Sequence, residues 1–537
     1  MILNEIFASQ QIGFPILSVL LFLPLIFVVV LHFIRDDHLA YQVGLAGACI
    51  ELLLACVMAF RFIPGIPDMQ FMERGFRIPY LGVGYHLGVD GISVLFIPVT
   101  ALLTVMVILY AEYAVKSDAR HYAMATLALE ATMIGAFVSL DMMLFWLFFV
   151  VELVPSYFLI TRWGTGAHRQ RAAREYVAFM ITGSALMLVG IALLGVNYHN
   201  ASLASGQGSG YSFDFLHLLA VPVPEKLQTL IFFLIFFGLA VKTPIFPFHT
   251  WMPKVLEEGP IVGMSVFLVG IKLGTYGFIR LVVPLLPEAA KEWFWLMALL
   301  GAIGVIYGAL IALIQTNLRR MVAFSSLSHM GVVMLAIFSL NFYGFQGALL
   351  QMINLGITGA GLFFFAGFLH TRVGPPDTAS LGGLVHNVPL LTATFLILAL
   401  AGVGLPGTNG FNGEHLVILG TFQQHWYMAL AAGVGTFLTA AYFLWYFQRA
   451  FMGSLNPSIH KMPDLRPREM FIVAVLGAMI FWIGLDTGPL LRRMNGSLQA
   501  LAIRVEQGSY VEPQSAAALN HARGESRDSS PATAGSE

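Results

Sequence analysis

Charged residues and cysteines are scarce in this sequence. Asp, Glu, Lys and Arg make up only 11% of its 537 residues, against about a quarter in typical soluble domains. The formal net charge of −1 provides no basic field for nucleic acid. The two cysteines, Cys49 and Cys56, share one apolar stretch. These absences exclude a disulfide framework, a zinc site and an iron–sulfur cluster held by cysteines.

Hydrophobic residues are correspondingly abundant. They make up 58% of the chain, which is more apolar surface than a water-soluble fold could cover with polar groups. A helix needs about 20 apolar residues to cross the hydrocarbon core. The sequence has fourteen segments of about this length and therefore predicts an all-α membrane protein with about fourteen transmembrane helices. The segments are 15–34, 40–61, 91–112, 120–139, 141–161, 174–197, 227–249, 260–283, 293–315, 321–340, 344–369, 388–420, 425–448 and 469–489.

Two of these segments predict broken helices. Segment 388–420 is too long for one straight span and contains Pro406 among several glycines, while 227–249 has Pro244 and Pro247 near its end. Non-helical backbone at membrane depth is tolerated only inside protein or beside a water-filled cavity. Breaks in corresponding halves are typical of inverted-repeat transport proteins with sites near the membrane midplane.

The spans and breaks predict a domain organisation. We expect the first three helices in residues 1–112, one repeat of five helices in 113–283, a second in 284–455 and a last helix in 456–489. The tail, 490–537, is predicted to form an amphipathic helix followed by a polar, disordered end. Lys and Arg are concentrated in loops after odd-numbered spans. The positive-inside rule therefore places both termini outside, in the periplasm of a bacterial inner membrane.

Two cations fall well inside the predicted spans. Of 28 Lys and Arg residues, only Lys242 and Lys272 lie there, although an ammonium at mid-bilayer costs at least about 2.5–3.5 kcal/mol. A structural ion pair between helices would explain them. A proton relay explains them better, because a buried lysine can gain or lose a proton as its partner moves, whereas an arginine stays charged.

Embedded acids and one histidine extend this hypothesis. Asp141 begins a span and suits a helix cap equally well, and Glu51 is interpreted as a polar group at a helix interface. Glu130 and Glu152 lie deeper and are the better relay candidates. Glu414 follows the second predicted break, where a functional role is favoured over a structural one. His329 is either a packed, hydrogen-bonded helix residue or a relay station.

Several longer motifs carry a resemblance to a known family. They are LGVDGIS at 87–93, AVKTPIFPFHTW at 240–251, LGTYGFIR at 273–280, LRRMVAFSSLSHMG at 318–331 and LPGTNGFNGE at 405–414. With these motifs the chain resembles the subunit M family of the proton-pumping NADH:quinone oxidoreductase (respiratory complex I), the counterpart of mitochondrial subunit 4. The wider family includes Mrp-type cation/proton antiporter subunits.

The resemblance implies a fold and a function. The fold has about fourteen helices with two five-helix inverted repeats, each containing a broken helix, and the function is proton translocation within the membrane arm. NADH, FMN, iron–sulfur clusters and quinone are implied to belong to partner subunits, with no cofactor in this chain. Other antiporter-like subunits are the implied partners. By resemblance, Lys242, Lys272, His329 and Glu414 are the relay residues of helices 7, 8, 10 and 12.

The chain departs from the family pattern at two further relay positions. The helix 5 glutamate of the family lies five residues before a proline, where this chain has Val150, and Leu355 replaces the helix 11 histidine. Glu152 is two residues further along and would face another side unless a local bulge turns it. We expect Glu152 to contact Lys242 in this way, with Glu130 as the alternative partner.

Other departures give two more expectations and keep alternatives open. The segment from Pro260 to Lys272 is one residue shorter than in the family, which predicts a local change of helix winding in span 8. Water or Asn354 is expected to fill the gap at Leu355. The alternative functions are a subunit of a multi-chain Na⁺/H⁺ antiporter, a subunit of a membrane-bound hydrogenase-type pump, or a scaffold that has lost pumping.

Overall fold

The computed structural model describes residues 4–115, 118–204, 210–261, 263–454, 456–459 and 462–508. The N-terminal part contains strand β1 (Glu5–Phe7), helices α1 (Ala8–Gln11), α2 (Ile16–Phe33) and α3 (Asp37–Arg61), strands β2 (Met69–Ile78) and β3 (Val83–Val89), and helix α4 (Phe96–Ala114). The next part contains α5 (Ala119–Val138), α6 (Met142–Val151), α7 (Leu153–Trp163), α8 (Arg169–Ala204), α9 (Phe215–Ala220), α10 (Glu225–Lys242), α11 (Trp251–Glu258), α12 (Met264–Gly277), a π-helical turn (Phe278–Val282) and α13 (Val283–Leu285).

The second half is also helical. It contains α14 (Pro287–Glu292), α15 (Phe294–Leu313), α16 (Leu318–Ile337), α17 (Phe342–Val373), α18 (Leu384–Asn387), α19 (Pro389–Val403), α20 (Asn409–Gln424), α21 (Trp426–Phe451), a 3₁₀ turn (Pro457–Ile459), α22 (Pro467–Leu485) and α23 (Gly488–Gln507). Within the described ranges, twelve helical stretches are long and apolar enough to cross a membrane. If α10 with α11 and α19 with α20 are each counted as one broken span, the total is the predicted fourteen. This total stays a prediction.

Both predicted helix breaks are present. The first lies between Lys242, which ends α10, and Trp251, which begins α11; the second lies between Val403, which ends α19, and Asn409, which begins α20. Prolines in both breaks lack the N–H that a continuing helix needs. Gly404 takes a left-handed φ of +79°, which is the usual way for a glycine to end a helix. Each break lies in the fourth of the five helices of its predicted repeat.

A small β-sheet was not expected from the sequence. Its strand order is β1-β2-β3, with β1 parallel to β2 and β2 antiparallel to β3. The all-α prediction is therefore confirmed for the membrane body, and the three strands lie outside its candidate membrane spans. Asp141 caps α6 through the amides of Met143 and Leu144 and also accepts from the amide of Gly84 at 2.9 Å. Its helix-cap interpretation is thus confirmed.

The two ends of the described chain lie on one face of the helical body. The amide of Leu140 donates to the carbonyl of His86 at 2.9 Å, and the amide of Gly91 donates to Ser497 at 2.9 Å. The predicted amphipathic segment lies within α23, whose apolar side is buried against this face. Residues 509–537, the predicted disordered end, lie outside the described residues, as do Lys116 and Lys461 of the positive loops.

The loops that follow odd-numbered spans also meet one another. Arg319, in the first turn of α16, donates to Thr165 at 2.9 Å and to the carbonyl of Gly259 at 2.8 Å. Arg468 forms an ion pair with Glu112. The chain thus has one face built from its ends and another built from arginine-bearing loops.

Candidate functional site

Glu152 and Lys242 form a buried ion pair. Glu152 lies between α6 and α7, and Lys242 is the last residue before the first helix break. Nζ of Lys242 is 2.7 Å from Oε1 of Glu152, and only 1% and 0% of the two side chains is exposed. The predicted contact is therefore present. The alternative that Glu130 is the partner of Lys242 is wrong.

The helix is locally irregular at Glu152, and a glycine lies opposite its carboxylate. The helix is interrupted at this residue, and the amide of Glu152 donates to the carbonyls of both Phe148 and Val150. Gly270 on α12 makes room for the carboxylate, because a Cβ at that position would lie 2.5 Å from Oε1 of Glu152. The carboxylate, two residues beyond the family position, thus reaches Lys242 through space that Gly270 leaves free.

Aromatic rings surround the lysine. Nζ of Lys242 is 5.5 Å from the ring centre of Phe149 and 6.0 Å from that of Tyr176, within the range of about 6 Å for cation–π attraction. Among the described residues, the ammonium of Lys242 and the carboxylate of Glu152 make no hydrogen bond to any other group. Each charge is therefore balanced chiefly by the other, and losing one partner would leave an uncompensated buried charge.

Side chains satisfy backbone carbonyls at both helix breaks. At the first break, Nε1 of Trp251 donates to the carbonyl of Val241 at 3.0 Å. At the second, Nε2 of His329 is 3.2 Å from the carbonyl oxygen of Gly402. Helix ends leave several carbonyls without intrahelical partners. These contacts therefore stabilise non-helical backbone in an apolar interior.

Lys272 lines a small cavity between α12, α16 and α17. The cavity measures about 20 Å³, and its wall also contains His329, Ser325, Thr358 and Leu355. A water molecule needs about 10–15 Å³ by the same measure. Lys272 has no ion-pair partner among the described residues. The polar surroundings of its ammonium are therefore the cavity and the polar side chains that line it.

The helix of Lys272 does change its winding, but after the lysine. α12 is regular from Met264 to Gly277 and is followed by the π-helical turn Phe278–Val282. The predicted change of winding in span 8 is therefore present, and it lies on the C-terminal side of Lys272. Close packing brings the two lysines' helices together, because a Cβ on Gly274 would be 2.0 Å from Oγ1 of Thr243, the neighbour of Lys242.

His329 lies between two carbonyls and a carboxylate. Its Nδ1 is 2.8 Å from the carbonyl oxygen of Ser325, and its Nε2 is 3.2 Å from that of Gly402 and 3.9 Å from Oε1 of Glu414. A neutral imidazole donates through one nitrogen only, whereas the protonated ring donates through both. The surroundings of His329 therefore suit a ring that takes up a second proton.

Glu414 packs against the backbone of the second break. A Cβ on Gly404 would lie 2.7 Å from Oε2 of Glu414, so a glycine is needed there for close approach as well as for its φ. Thr436 on α21 donates to Oε2 at 3.0 Å. Glu414 is thus held between the break and α21, with one carboxylate oxygen facing His329.

Asn354 does not fill the gap that Leu355 leaves. Its Nδ2 donates to the carbonyl of Asn409 at 2.6 Å, and the Asn409 side chain contacts Thr358 at 3.3 Å. Asn354 therefore anchors the second break instead of bridging Lys272 and His329. Apart from Lys272 and His329, the polar part of the cavity wall comes from Ser325, Ser326 and Thr358.

Sequence patterns did not single out several residues that shape the site: Gly270, Ser325, Thr358, Asn409, Thr436 and Tyr442. Tyr442 is an example, because its hydroxyl is 2.7 Å from Oγ of Ser325 and fixes the wall of the cavity. Hydroxyl and amide groups within apolar spans were the available signal, since such groups hydrogen-bond across membrane helices. The role of Gly270 had no signal in the sequence.

The titratable groups form a series between the two breaks. It begins with the Glu152–Lys242 pair, continues with Lys272 and His329 on one cavity, and ends at Glu414. Glu130 lies outside this series and interacts with Glu51. Among the residues that the structure describes, no group of three or more His, Cys, Asp or Glu side chains is placed to hold a metal ion.

Comparison with known sequences identifies relatives over nearly the whole chain. A model of the family described as NADH:quinone oxidoreductase/Mrp antiporter matches residues 139–439. NADH-quinone oxidoreductase subunit M of Rickettsia prowazekii (strain Madrid E) is 34% identical over 500 residues, which cover 91% of this chain and 99% of that protein.

Solved structures show the same fold. A chain of respiratory complex I from Thermus thermophilus with bound NADH matches with a TM-score of 0.82 and 29% identity, covering 91% of this chain and 99% of that one. A chain of the Mrp complex from Dietzia sp. DQ12-45-1b matches with a TM-score of 0.79 and 21% identity, covering 92% and 98%. Together with the sequence matches, these results show that this chain belongs to the NADH:quinone oxidoreductase/Mrp antiporter family of membrane subunits.

Proposed function

We propose that this chain translocates protons in the membrane arm of a complex I-type NADH:quinone oxidoreductase. The observation that carries the proposal is the buried Glu152–Lys242 ion pair at a helix break. A lysine and a carboxylate placed there can exchange a proton when their distance changes. Full-length similarity to a subunit M supports the same assignment.

Transport starts with separation of the ion pair. A charge shift in a neighbouring subunit draws Glu152 away from Lys242, and the ammonium loses its counter-charge. An isolated ammonium in an apolar site is costly, so Lys242 releases its proton toward Lys272. The contact between Thr243 and the helix of Lys272 keeps the two lysines on adjoining helices.

The second half of the path passes through the cavity. One water molecule fits between the groups that line it, so a proton from Lys272 can reach His329 without the missing helix 11 histidine. His329 then donates through Nε2 toward Glu414, 3.9 Å away. Glu414, beside the second break, releases the proton.

The redox reaction belongs to partner subunits under this proposal. This chain binds no NADH, FMN, iron–sulfur cluster or quinone, and it contributes to the enzyme as a translocating subunit. Its partners are other antiporter-like subunits of the membrane arm. They lie beside it in a multi-pass arrangement in the inner membrane, and they transmit the charge shift that opens the Glu152–Lys242 pair.

The proposed orientation places both termini in the periplasm. The N-terminal strand and α23 share one face of the body, and the arginine-bearing loops meet elsewhere. Positive loops stay in the cytoplasm. The two five-helix repeats, 113–283 and 284–455, would then contribute one broken helix each to the path.

Replacement of Lys242 tests the function. We expect Lys242→Ala to abolish proton pumping in the assembled complex, and Lys242→Arg to fail as well because arginine keeps its proton. Lys226→Ala, at the exposed start of the same helix, is the matched control and should pump normally. The measurement is the proton-to-electron ratio in sealed vesicles.

The same experiment separates the alternatives. A normal ratio in Lys242→Ala, with the complex assembled, would mean that the chain is a scaffold without a pumping role. Pumping that requires Na⁺ in the wild type, and disappears when Na⁺ is removed, would instead identify a cation/proton antiporter subunit.

A further inference from the structure

Two buried carboxyl groups outside the path lie next to each other. Glu51 is on α3 and Glu130 on α5, and neither side chain has exposed surface. The two helices run in parallel and meet at Gly44 and Ala123, where a Cβ on Gly44 would be 3.4 Å from that of Ala123. Each glutamate follows this contact by seven residues, or about two helical turns. The carboxyl groups therefore enter the same interface, and they interact electrostatically.

No cation balances this carboxyl pair. Among the described residues, neither Glu51 nor Glu130 forms an ion pair, and none of their four carboxyl oxygens has a hydrogen-bonding partner. Thr104 on α4 faces Glu130, but its hydroxyl donates to the carbonyl of Thr100 at 3.1 Å. An ionised carboxylate in such surroundings is very costly, and two neighbouring ones are worse. At rest the interface therefore favours the protonated form of both groups.

The carboxyl pair lies close to the start of the path. Met133 follows Glu130 by one turn of α5, and its Sδ is 3.4 Å from the position that a Cβ on Gly270 would occupy. Oε1 of Glu152 is 2.5 Å from that same position. The side chains of Met133 and Glu152 thus meet at the same point of α12, which brings α5, the helix of Glu130, beside the Glu152 carboxylate.

We propose that Glu51 and Glu130 form a second proton site that supplies Glu152. At rest both carboxyl groups are protonated. When the Glu152–Lys242 pair opens, one proton moves from Glu130 to the Glu152 carboxylate past Met133, and the remaining proton is shared between Glu51 and Glu130. The charge of the carboxyl pair changes from zero to −1 and that of Glu152 from −1 to zero, with no electron transfer. This exchange rests on the proposed proton-translocating function.

Infrared spectroscopy of the assembled complex tests the protonation itself. The carbonyl-stretching band of protonated carboxyl groups should lose intensity in Glu51→Gln and in Glu130→Gln, and should lose the most in the double variant. An unchanged band in the double variant would overturn the proposal. So would loss of the wild-type band on addition of Na⁺, because the pair would then be a cation site.

Proton pumping tests the exchange with Glu152. We expect the Glu51→Gln/Glu130→Gln variant to pump several-fold more slowly while electron transfer continues. Thr126→Val, one turn before Glu130 with its hydroxyl bonded to its own helix at Tyr122, is the matched control and should pump normally. Normal pumping in the double variant would show that the pair only fills the interface. The infrared result does not depend on pumping, so failure of the general function in Lys242→Ala remains distinguishable.

Discussion

The Glu152 side chain shows how a single displaced residue keeps its contact. Glu152 lies two positions after the glutamate of the family, yet its Oε1 is 2.7 Å from Nζ of Lys242. The absence of a side chain on Gly270 leaves room for this contact. Position 150 carries a valine that faces elsewhere. The free space beside Lys242 therefore determines which carboxylate reaches it, and the position of the glutamate in the sequence does not.

Exchange of the two helix 5 positions tests this conclusion. We expect Glu152→Gln to abolish pumping, because a buried lysine without its counter-charge does not hold a proton. Adding Val150→Glu to that variant should not restore pumping, since two residues rotate a side chain by about 200° on a helix. The measurement is the proton-to-electron ratio in vesicles, and rescue by Val150→Glu would contradict the structure.

Gly270 gives a second prediction at the same scale. A Cβ there would come within 2.5 Å of the Glu152 carboxylate, so Gly270→Ala should displace Glu152 and reduce pumping several-fold. Overpacking of this kind costs about 1–3 kcal/mol of stability. Gly304→Ala is the control, because the nearest atom to its Cβ would be 3.8 Å away. Equal pumping in the two variants would show that Gly270 does not position the carboxylate.

At the level of secondary-structure elements, the two broken helices determine where polar groups lie inside the membrane body. Each break leaves backbone carbonyls without helical partners, and a side chain contacts one of them: Trp251, at the end of the first break, and His329, from α16, at the second. The second contact also sets His329 beside Glu414. Between the breaks, α12, α16 and α17 leave a cavity of about 20 Å³ next to Lys272. Helix packing thus supplies the space that a histidine side chain fills in the wider family.

The size of this cavity is testable at Leu355. Leu355→Phe should fill the space and slow pumping strongly, because no water molecule would fit between Lys272 and His329. Leu355→Ala enlarges the space and should keep pumping, at a cost of about 2–5 kcal/mol in stability. Pumping by each variant, normalised to the amount of assembled complex, is the measurement. Normal pumping by Leu355→Phe would exclude the cavity from the path.

Contacts outside the spans hold the whole molecule together on the face of its ends. Nδ1 of His86 in β3 donates to Asp214 at 2.7 Å, which joins the β-hairpin to the loop before α9. Burial alone would raise the pKa of Asp214, but the hydrogen bond from His86, the nearby imidazoles of His86 and His217 and the hydrogen bond from the amide of Leu216 outweigh it and lower that pKa below its ordinary value. The ionised carboxylate therefore stabilises the fold.

The pH dependence of this contact follows from the direction of the pKa shift of Asp214, which is downward. The stabilisation is complete above the unfolded pKa of about 3.9 and is lost as the pH falls through the lower folded pKa. We expect Asp214→Asn to lower Tm at neutral pH, by an equivalent of about 1–3 kcal/mol, and the difference from wild type to shrink in acid. Asp37→Asn, at an exposed helix start, should leave Tm nearly unchanged. A pH-independent difference would contradict the ionised contact.

Composition and local chemistry determined much of this protein directly. A share of 58% hydrophobic residues predicts a multi-pass helical body, because only helices satisfy their backbone within lipid. Prolines and glycines at 244–247 and 402–410 predicted both breaks, since they cannot continue a helix. Lys242, Lys272, His329 and Glu414 were identifiable because charge at membrane depth is costly and therefore rare.

Tertiary structure alone decided which of these groups meet. The sequence favoured Glu152 over Glu130 as the partner of Lys242, but only the structure shows the contact, because the space beside Gly270 comes from packing between distant segments. The same holds for Asn354, whose amide is drawn to the second break by Asn409. The β-sheet before α4 was invisible to hydropathy, since its strands form through pairing between separated segments rather than through apolar length. Contact between segments far apart in the chain is a property of the folded state, and local pattern does not encode it.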